Sequence, residues 1–274
     1  MRSLFPADPR IYQITMLAGL LGYGVLALGF DVKPLHAITI VTTALLTQLV
    51  CTRVWRLPTF DPKSALISAL SLCLLLRANE VGVVAAAAAV AVASKFLLRW
   101  NGKHVFNPTN LALALALLTK QAWVSPGQWG NAAILAFLFG CIGMLVVYRA
   151  ARSDVTLAFF ASYAVLLCGR SLWLGEPLTI PFHRLESGAL LLFGFFMISD
   201  PRTTPDSRAG RMVFAALVAF GAWYIQFRLF RTNGLLWSLV GVSMLTPLLD
   251  WLFRGARYQW PTSRFSTLPT PRPA

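Results

Sequence analysis

The sequence predicts an all-α polytopic membrane protein, with about ten transmembrane helices in two inverted five-helix repeats. Three observations carry this. The chain of 274 residues is 57% hydrophobic and only 12% charged, about half the charged fraction of a soluble domain. Its apolar residues fall in continuous Leu-, Ala- and Gly-rich runs rather than in the alternation that a membrane barrel strand needs. Its 24 Lys and Arg, against 10 Asp and Glu, sit between the runs and not on one amphipathic face. A soluble enzyme is thereby excluded, and the net charge of +14 reads as an orientation signal at a lipid bilayer, not as a nucleic-acid surface.

Taken in order, the apolar runs cover 11–30, 35–52, 64–76, 81–98, 108–119, 131–148, 155–172, 187–199, 212–230 and 234–253. A helix needs about 20 apolar residues to cross the hydrocarbon core, so several runs are full spans and others are visibly short. The first run lacks a small-residue cleavage site followed by a polar mature domain and is expected to stay as a span. Placing the N-terminus in the cytoplasm puts Arg53, Arg56, Lys63, Lys95, Arg99, Lys103, Arg202, Arg208 and Arg211 on the inner side. Far fewer cations, Lys33, Arg77 and Lys120 among them, then face outward. That bias predicts both termini inside a bacterial cytoplasmic (inner) membrane and an even number of spans. The four cysteines are isolated within apolar runs and make no metal-ligand spacing, so core packing is expected for them and no metal site is predicted.

Five helices per half force the second half to be inverted. The half-repeats are placed at 11–120 and 131–253 of a single membrane domain over 1–274, with 255–274 as a Pro-rich, disordered cytoplasmic tail. The third and eighth runs, 64–76 and 187–199, are both short and occupy matching places. Arg99-Trp100-Asn101-Gly102 before the fifth run is echoed by Arg231-Thr232-Asn233-Gly234 before the tenth. Short segments at corresponding positions of two inverted halves point to a binding site near the membrane midplane.

Two loops carry the residues suited to chemistry. In SKFLLRWNGKHVFNPTN, 94–110, Asn107 is a plausible N-cap and Pro108 a first helical residue, so the fifth helix would present free N–H groups and a positive dipole end. Asn110 lies on the same first turn, and Lys95, Arg99, Lys103 and His104 surround it, which suits an anionic or strongly polar ring system. In FFMISDPRTTPDSRAGR, 195–211, Asp200 ends the eighth run, where the helix dipole opposes a carboxylate. Thr203, Thr204 and Pro205 then form a stiff turn. An amide pair and a carboxylate match the imide edge of an isoalloxazine ring, which offers two acceptors and one donor; pairing of Arg202 with Asp200, or simple helix capping, would account for the same residues without a ligand. No catalytic residue is singled out, and the ten acidic residues fall at segment ends or in loops, unlike the carboxylates of an ion relay within the spans.

These two motifs resemble those of the family that joins the B subunit of the sodium-pumping NADH:quinone reductase with the D subunit of the Rnf electron-transport complex. The resemblance covers about 60 to 270 and is strongest at Ser94, Lys95, Arg99, Gly102, His104, Phe106, Asn107, Pro108, Asp200, Pro201 and Pro205. It implies ten helices in two inverted halves and a membrane subunit of an ion-translocating oxidoreductase complex, with other membrane subunits as partners. It also implies a noncovalent flavin, riboflavin or FMN, near the cytoplasmic side, with Asn107, Asn110 and Asp200 as its polar contacts and Lys95, Arg99, His104 and Thr204 around it. One departure is plain. Where the family carries Ser-Gly-Ala-Thr as a covalent FMN acceptor, this chain reads Ser187-Gly188-Ala189-Leu190, so no covalent acceptor is expected. The alternative is a flavin-free membrane transporter or scaffold of the kind found with secondary-metabolite pathways such as enediyne biosynthesis.

Overall fold

The computed structural model describes residues 8–125 and 152–258. The sixth predicted span, with Cys141, and the tail beyond 258 lie outside the described residues. In chain order the elements begin with α1 (Pro9–Leu26), α2 (Pro34–Val54), α3 (Lys63–Leu75), β1 (Leu76–Ala78) and α4 (Val81–Leu97). The short strands β2 (Arg99–Trp100) and β3 (Lys103–His104), then α5 (Pro108–Leu118) and β4 (Ala122–Val124), complete the first part. The second part holds α6 (Ser153–Leu174), α7 (Thr179–Leu185) and α8 (Gly188–Leu192), which runs on as a π-helical turn (Phe193–Met197). It ends with α9 (Arg208–Phe227), α10 (Gly234–Ser243) and α11 (Thr246–Leu252).

The molecule is mostly helical, and its helices are apolar on nearly all sides, as in a chain solvated by lipid. Among the described residues α2, α6 and α9 are long and apolar enough to cross a bilayer, and α10 with α11 makes a fourth candidate, bent by 53°. The tenth apolar run is thus two helices, not one. Both short runs are short in the structure: α3 has 13 residues, and the eighth run is a five-residue α-turn followed by a five-residue π-turn.

Strands also occur, contrary to the all-α expectation. β1 leaves the C-terminal end of α3 extended and pairs antiparallel with β4, Leu76 opposite Val124 and Ala78 opposite Ala122. This gives the backbone of a chain too short to continue as a spanning helix its hydrogen-bond partners. β2 and β3 form a hairpin, Arg99 opposite His104 and Trp100 opposite Lys103. Its two-residue loop is Asn101-Gly102, with φ of 48° and 76°, the left-handed pair that a tight hairpin turn requires. The echoing Asn233-Gly234 does something else: Asn233 is left-handed at φ 58° and starts α10 directly. The two matching strings therefore have different local structures.

Packing is close where small residues allow it. Ala87, Ala88 and Ala91 of α4 are buried, and α4 packs against α2 and α5. A Cβ at Gly234 would stand 2.7 Å from the Ala222 carbonyl oxygen, so α10 touches the backbone of α9. In the second part an aromatic group of Phe159, Phe160, Phe193 and Phe195, with ring centroids 5.2–5.5 Å apart, packs α6 against the π-turn, and Gly194 leaves the room that the Phe160 ring fills.

Candidate functional site

The two loops singled out in the sequence meet. Asn107 is the N-cap of α5, its Oδ1 accepting from the Asn110 N–H at 3.0 Å, which satisfies one of the orphan donors of the helix start. Its Nδ2 donates to the Met197 carbonyl at 3.1 Å and reaches Asp200 Oδ2 at 3.5 Å. Asp200 begins a tight turn: its Oδ1 accepts from the Arg202 N–H at 3.0 Å, and its carbonyl accepts from the N–H groups of Thr203 and Thr204. A carboxylate disfavoured by the dipole of its own helix is thus set against the positive start of α5. Burial pushes the Asp200 carboxyl above the usual carboxylate range, against the opposing pull of the Arg202 N–H and of the charges of Lys95, Arg202 and Arg152. No ion pair between the Arg202 guanidinium and Asp200 occurs among the described residues, so the pairing that would have absorbed this carboxylate is not what occupies it.

A cavity of about 310 Å³ opens beside this junction, at the lower end of the range for small-molecule sites. Of the residues expected at a site, Lys95, Arg99, His104, Asn107 and Asp200 line it. Lys95 is buried and its Nζ donates to the Ser64 carbonyl at 2.8 Å and to Ser64 Oγ at 3.0 Å. The Nε of Arg99 donates to the Lys95 carbonyl, and its guanidinium lies 5.3 Å from the centre of the Phe96 ring. Burial, helped by the charges of Arg99, Arg202 and Lys95, lowers His104 to about 3, so the imidazole is neutral. The Lys95 backbone lies against its ring, and its Nδ1 is buried with no hydrogen-bond partner among the described residues.

Two expected contacts are elsewhere. Asn110 is turned away from the cavity, its Nδ2 donating to the Leu236 carbonyl of α10 at 3.1 Å; Asn107 caps α5 while Asn110, on its first turn, ties α5 to the second part. Thr204 is fully buried behind Asp200, donating to its carbonyl at 3.1 Å and accepting from Arg152 Nε at 3.1 Å. Lys103 also points away from the cavity, bridging Asp206 at 3.1 Å and Asp250 at 2.7 Å.

The opposite wall was not anticipated. Ser64, Ser68 and Ser71 of α3 and Gln48 of α2 line the cavity, and Gln48 Oε1 is buried with no partner among the described residues. The signal was present as spacing: serines at i, i+4 and i+7 give a polar stripe along one face of an otherwise apolar helix. Arg10 and Gln13 of α1 close the rim. Arg10 is held by Asp8 at 2.9 Å and Asp61 at 2.5 Å. Burial alone would raise Asp8, but hydrogen bonds from Arg10 and Lys63 bring it down to about 2. Among the described residues no group of His, Cys, Asp and Glu is disposed to hold a metal ion.

Comparison with known proteins bears on this architecture. A family model described as the NQR2, RnfD, RnfE family matches residues 116–259, a stretch that includes the Asp200 turn. The D subunit of an ion-translocating oxidoreductase complex from Escherichia coli O1:K1 / APEC is 33% identical over 133 residues, 48% of this chain and 36% of that protein. The corresponding D subunit from Escherichia coli strain K12 / DH10B is 32% identical over the same lengths. The aligned stretch therefore spans little more than a third of these relatives. With more than half of its residues matched by the family model, the chain belongs to the NQR2, RnfD, RnfE family of membrane proteins.

Proposed function

We propose that this protein is a multi-pass inner-membrane electron-transfer subunit that binds one noncovalent flavin in the cavity between the 94–110 and 195–211 loops, within a multi-subunit ion-translocating oxidoreductase complex. The single observation that carries the reading is a pair of buried acceptors in that cavity, Gln48 Oε1 and His104 Nδ1, that no described residue satisfies. A buried polar atom without a partner costs about 1–3 kcal/mol, and both atoms call for a ligand that donates. A flavin fits this donor set: its ring carries one N–H and two carbonyls, and its ribityl chain carries hydroxyls. Gln48 would take the ring N–H, the Ser64 and Ser71 hydroxyls would face its carbonyls while Ser68 donates to the Ser64 carbonyl, and His104, neutral, would accept from the sugar chain. Asn107 and Asp200 act from the other side. Asn107 spends its polar atoms on the helix start and on Met197, so its part is to hold Asp200 at the wall, where the carboxylate would accept from a hydroxyl of the ribityl chain.

When bound, the flavin supplies the electron chemistry, and the protein's own residues bind it, exclude water and set the local charge. The surrounding cations favour added negative charge in the cavity. A ten-helix body of two inverted halves, with both termini cytoplasmic, accompanies this reading. Its support is a recurrent packing scheme: α2 lies on α4 and α4 on α5 in the first part, and α6 lies on α9 and α9 on α10 in the second. Partner subunits of the membrane complex would deliver and receive the electrons.

The test compares flavin binding and thermal stability of Gln48→Leu and Asp200→Asn in detergent. Both substitutions are expected to weaken flavin binding about tenfold, the equivalent of a hydrogen bond lost at a buried site. Gln48→Leu, which removes an unsatisfied atom, should leave the flavin-free protein at least as heat-stable as the parent. Flavin affinity unchanged in both variants would overturn the site.

A further inference from the structure

A second cavity, of about 590 Å³, lies across the β2–β3 hairpin from the first and shares only His104 with it. The hairpin, Asp206 and residues between Thr246 and Arg257 form its walls, so it sits where the last span ends and the polar loops begin. α10 and α11 meet there at a 53° bend. Leu245, Leu248 and Leu252, spaced at i, i+3 and i+7, are exposed along one face of α11. The buried end of the cavity is satisfied within the protein: Lys103 Nζ bridges Asp206 and Asp250, and Asp250 Oδ1 accepts from the Asp206 N–H at 2.7 Å. Both oxygens of Asp250 are thereby taken. The open end is different. Arg254 and Arg257 are exposed, and among the described residues neither guanidinium lies within ion-pair distance of a carboxylate, whereas Arg10, Lys63, Lys103, Arg170 and Arg211 all do. A Cβ at Gly102 would stand 3.7 Å from Arg257 Nη1, which places that guanidinium against the hairpin turn. With His104 neutral, Lys103, Arg254 and Arg257 outnumber Asp206 and Asp250, so the cavity is left positive. Beside the two arginines stand Trp100 and Trp251, 60% and 68% exposed, and an indole, apolar with one N–H, settles at the boundary between lipid and water.

We propose that this second cavity holds the headgroup of an anionic phospholipid. Arg254 and Arg257 take its phosphate oxygens, which the planar fork of a guanidinium matches in pairs. Trp100 and Trp251 flank the glycerol level, and the acyl chains follow the exposed leucines of α11. Basic pockets beside membrane helices take lipid headgroups by the same combination of charge and apolar surface. A soluble anion would use the arginines but neither the two indoles nor the leucine row, and a zwitterionic lipid would bring an ammonium group to a mouth that is already positive. The bound lipid joins the hairpin of the first part to the end of the last span, next to the Lys103 bridge. None of this depends on whether the first cavity holds a flavin.

The experiment titrates the full-length, delipidated protein in detergent with short-chain phosphatidylglycerol, phosphatidylethanolamine and phosphatidylcholine in parallel, counting bound lipid by native mass spectrometry. It compares the parent with Arg254→Gln/Arg257→Gln, with Trp251→Ala, and with Arg53→Gln/Arg208→Gln, which removes the same charge from exposed positions outside both cavities. The parent should bind phosphatidylglycerol about tenfold more tightly than either zwitterionic lipid, as charge-assisted contacts to a phosphate confer. Arg254→Gln/Arg257→Gln should bring that ratio close to one, Arg53→Gln/Arg208→Gln should leave it in place, and Trp251→Ala should weaken all three lipids. Excess inorganic phosphate should not displace phosphatidylglycerol. Equal affinities for the three lipids in the parent, a preference for phosphatidylethanolamine, or a ratio that both double variants lower equally or leave unmoved would overturn the site. Displacement by inorganic phosphate would show a plain anion site and overturn the lipid.

Discussion

His104 illustrates how a single residue type was legible while its role was not. The sequence places it among cations beside the start of a helix, and the natural expectation is a charged group greeting an anion. The fold instead buries it, and burial together with Arg99, Arg202 and Lys95 holds it neutral down to about 3. The sign of the resulting pH dependence follows. In the unfolded chain the imidazole takes up a proton below about 6.5; in the fold it does not, so the stability it contributes is complete above that value and is lost progressively as the pH falls from about 6.5 toward 3. The melting temperature of the detergent-solubilised protein should therefore drop between pH 7 and 5, and His104→Gln should flatten that drop. Superimposable pH profiles for the two proteins would contradict a neutral, buried His104. Asn110 makes the complementary point: its place on the first turn of α5 was readable, but its direction was decided by the Leu236 carbonyl, 126 residues away in sequence.

At the level of elements, length and hydropathy located most of the helices among the described residues, though not Thr179–Leu185, since apolar runs in lipid have few alternatives to a helix. What they could not locate were interruptions within the runs. The π-turn at Phe193–Met197 follows from ring packing against Phe159 and Phe160, and the bend before Thr246 from a Thr-Pro start of α11 that cannot continue the preceding helix. The hairpin at 99–104 did have a local signal, the Asn101-Gly102 pair between short extended residues, and that signal outweighs the comparison with Asn233-Gly234, where a helix follows at once. The crossing of α9 and α10 gives a direct packing test. Gly234→Ala forces a methyl group to 2.7 Å from a backbone oxygen, which cannot rotate away as a side chain would, and overpacking of this kind costs about 1–3 kcal/mol. A lowered melting temperature is expected, with Gly241→Ala, whose added Cβ meets nothing within 4 Å, as the unaffected comparison. Equal stability of the two variants would show that the α9–α10 contact is looser than described.

Over the whole molecule, the two parts of the chain are joined by charge and hydrogen bonds beside the cavity. Lys103 of the hairpin bridges Asp206 and Asp250, Asn107 spans to Met197 and Asp200, and Asn110 reaches α10. Both short runs contribute to the cavity lining, α3 through Ser64, Ser68 and Ser71 and the eighth run through Phe195, Phe196 and Ser199. The wall built from Gln48 and the α3 serines stayed hidden because hydroxyls and one amide hardly alter the hydropathy of a run. The account stands or falls on whether this cavity holds a flavin. The decisive measurement is the visible spectrum of the detergent-purified protein, combined with acid extraction and in-gel fluorescence. About one extractable flavin per chain, with a non-fluorescent protein band, is the predicted result. A folded protein that is colourless and takes up no added riboflavin or FMN would contradict it.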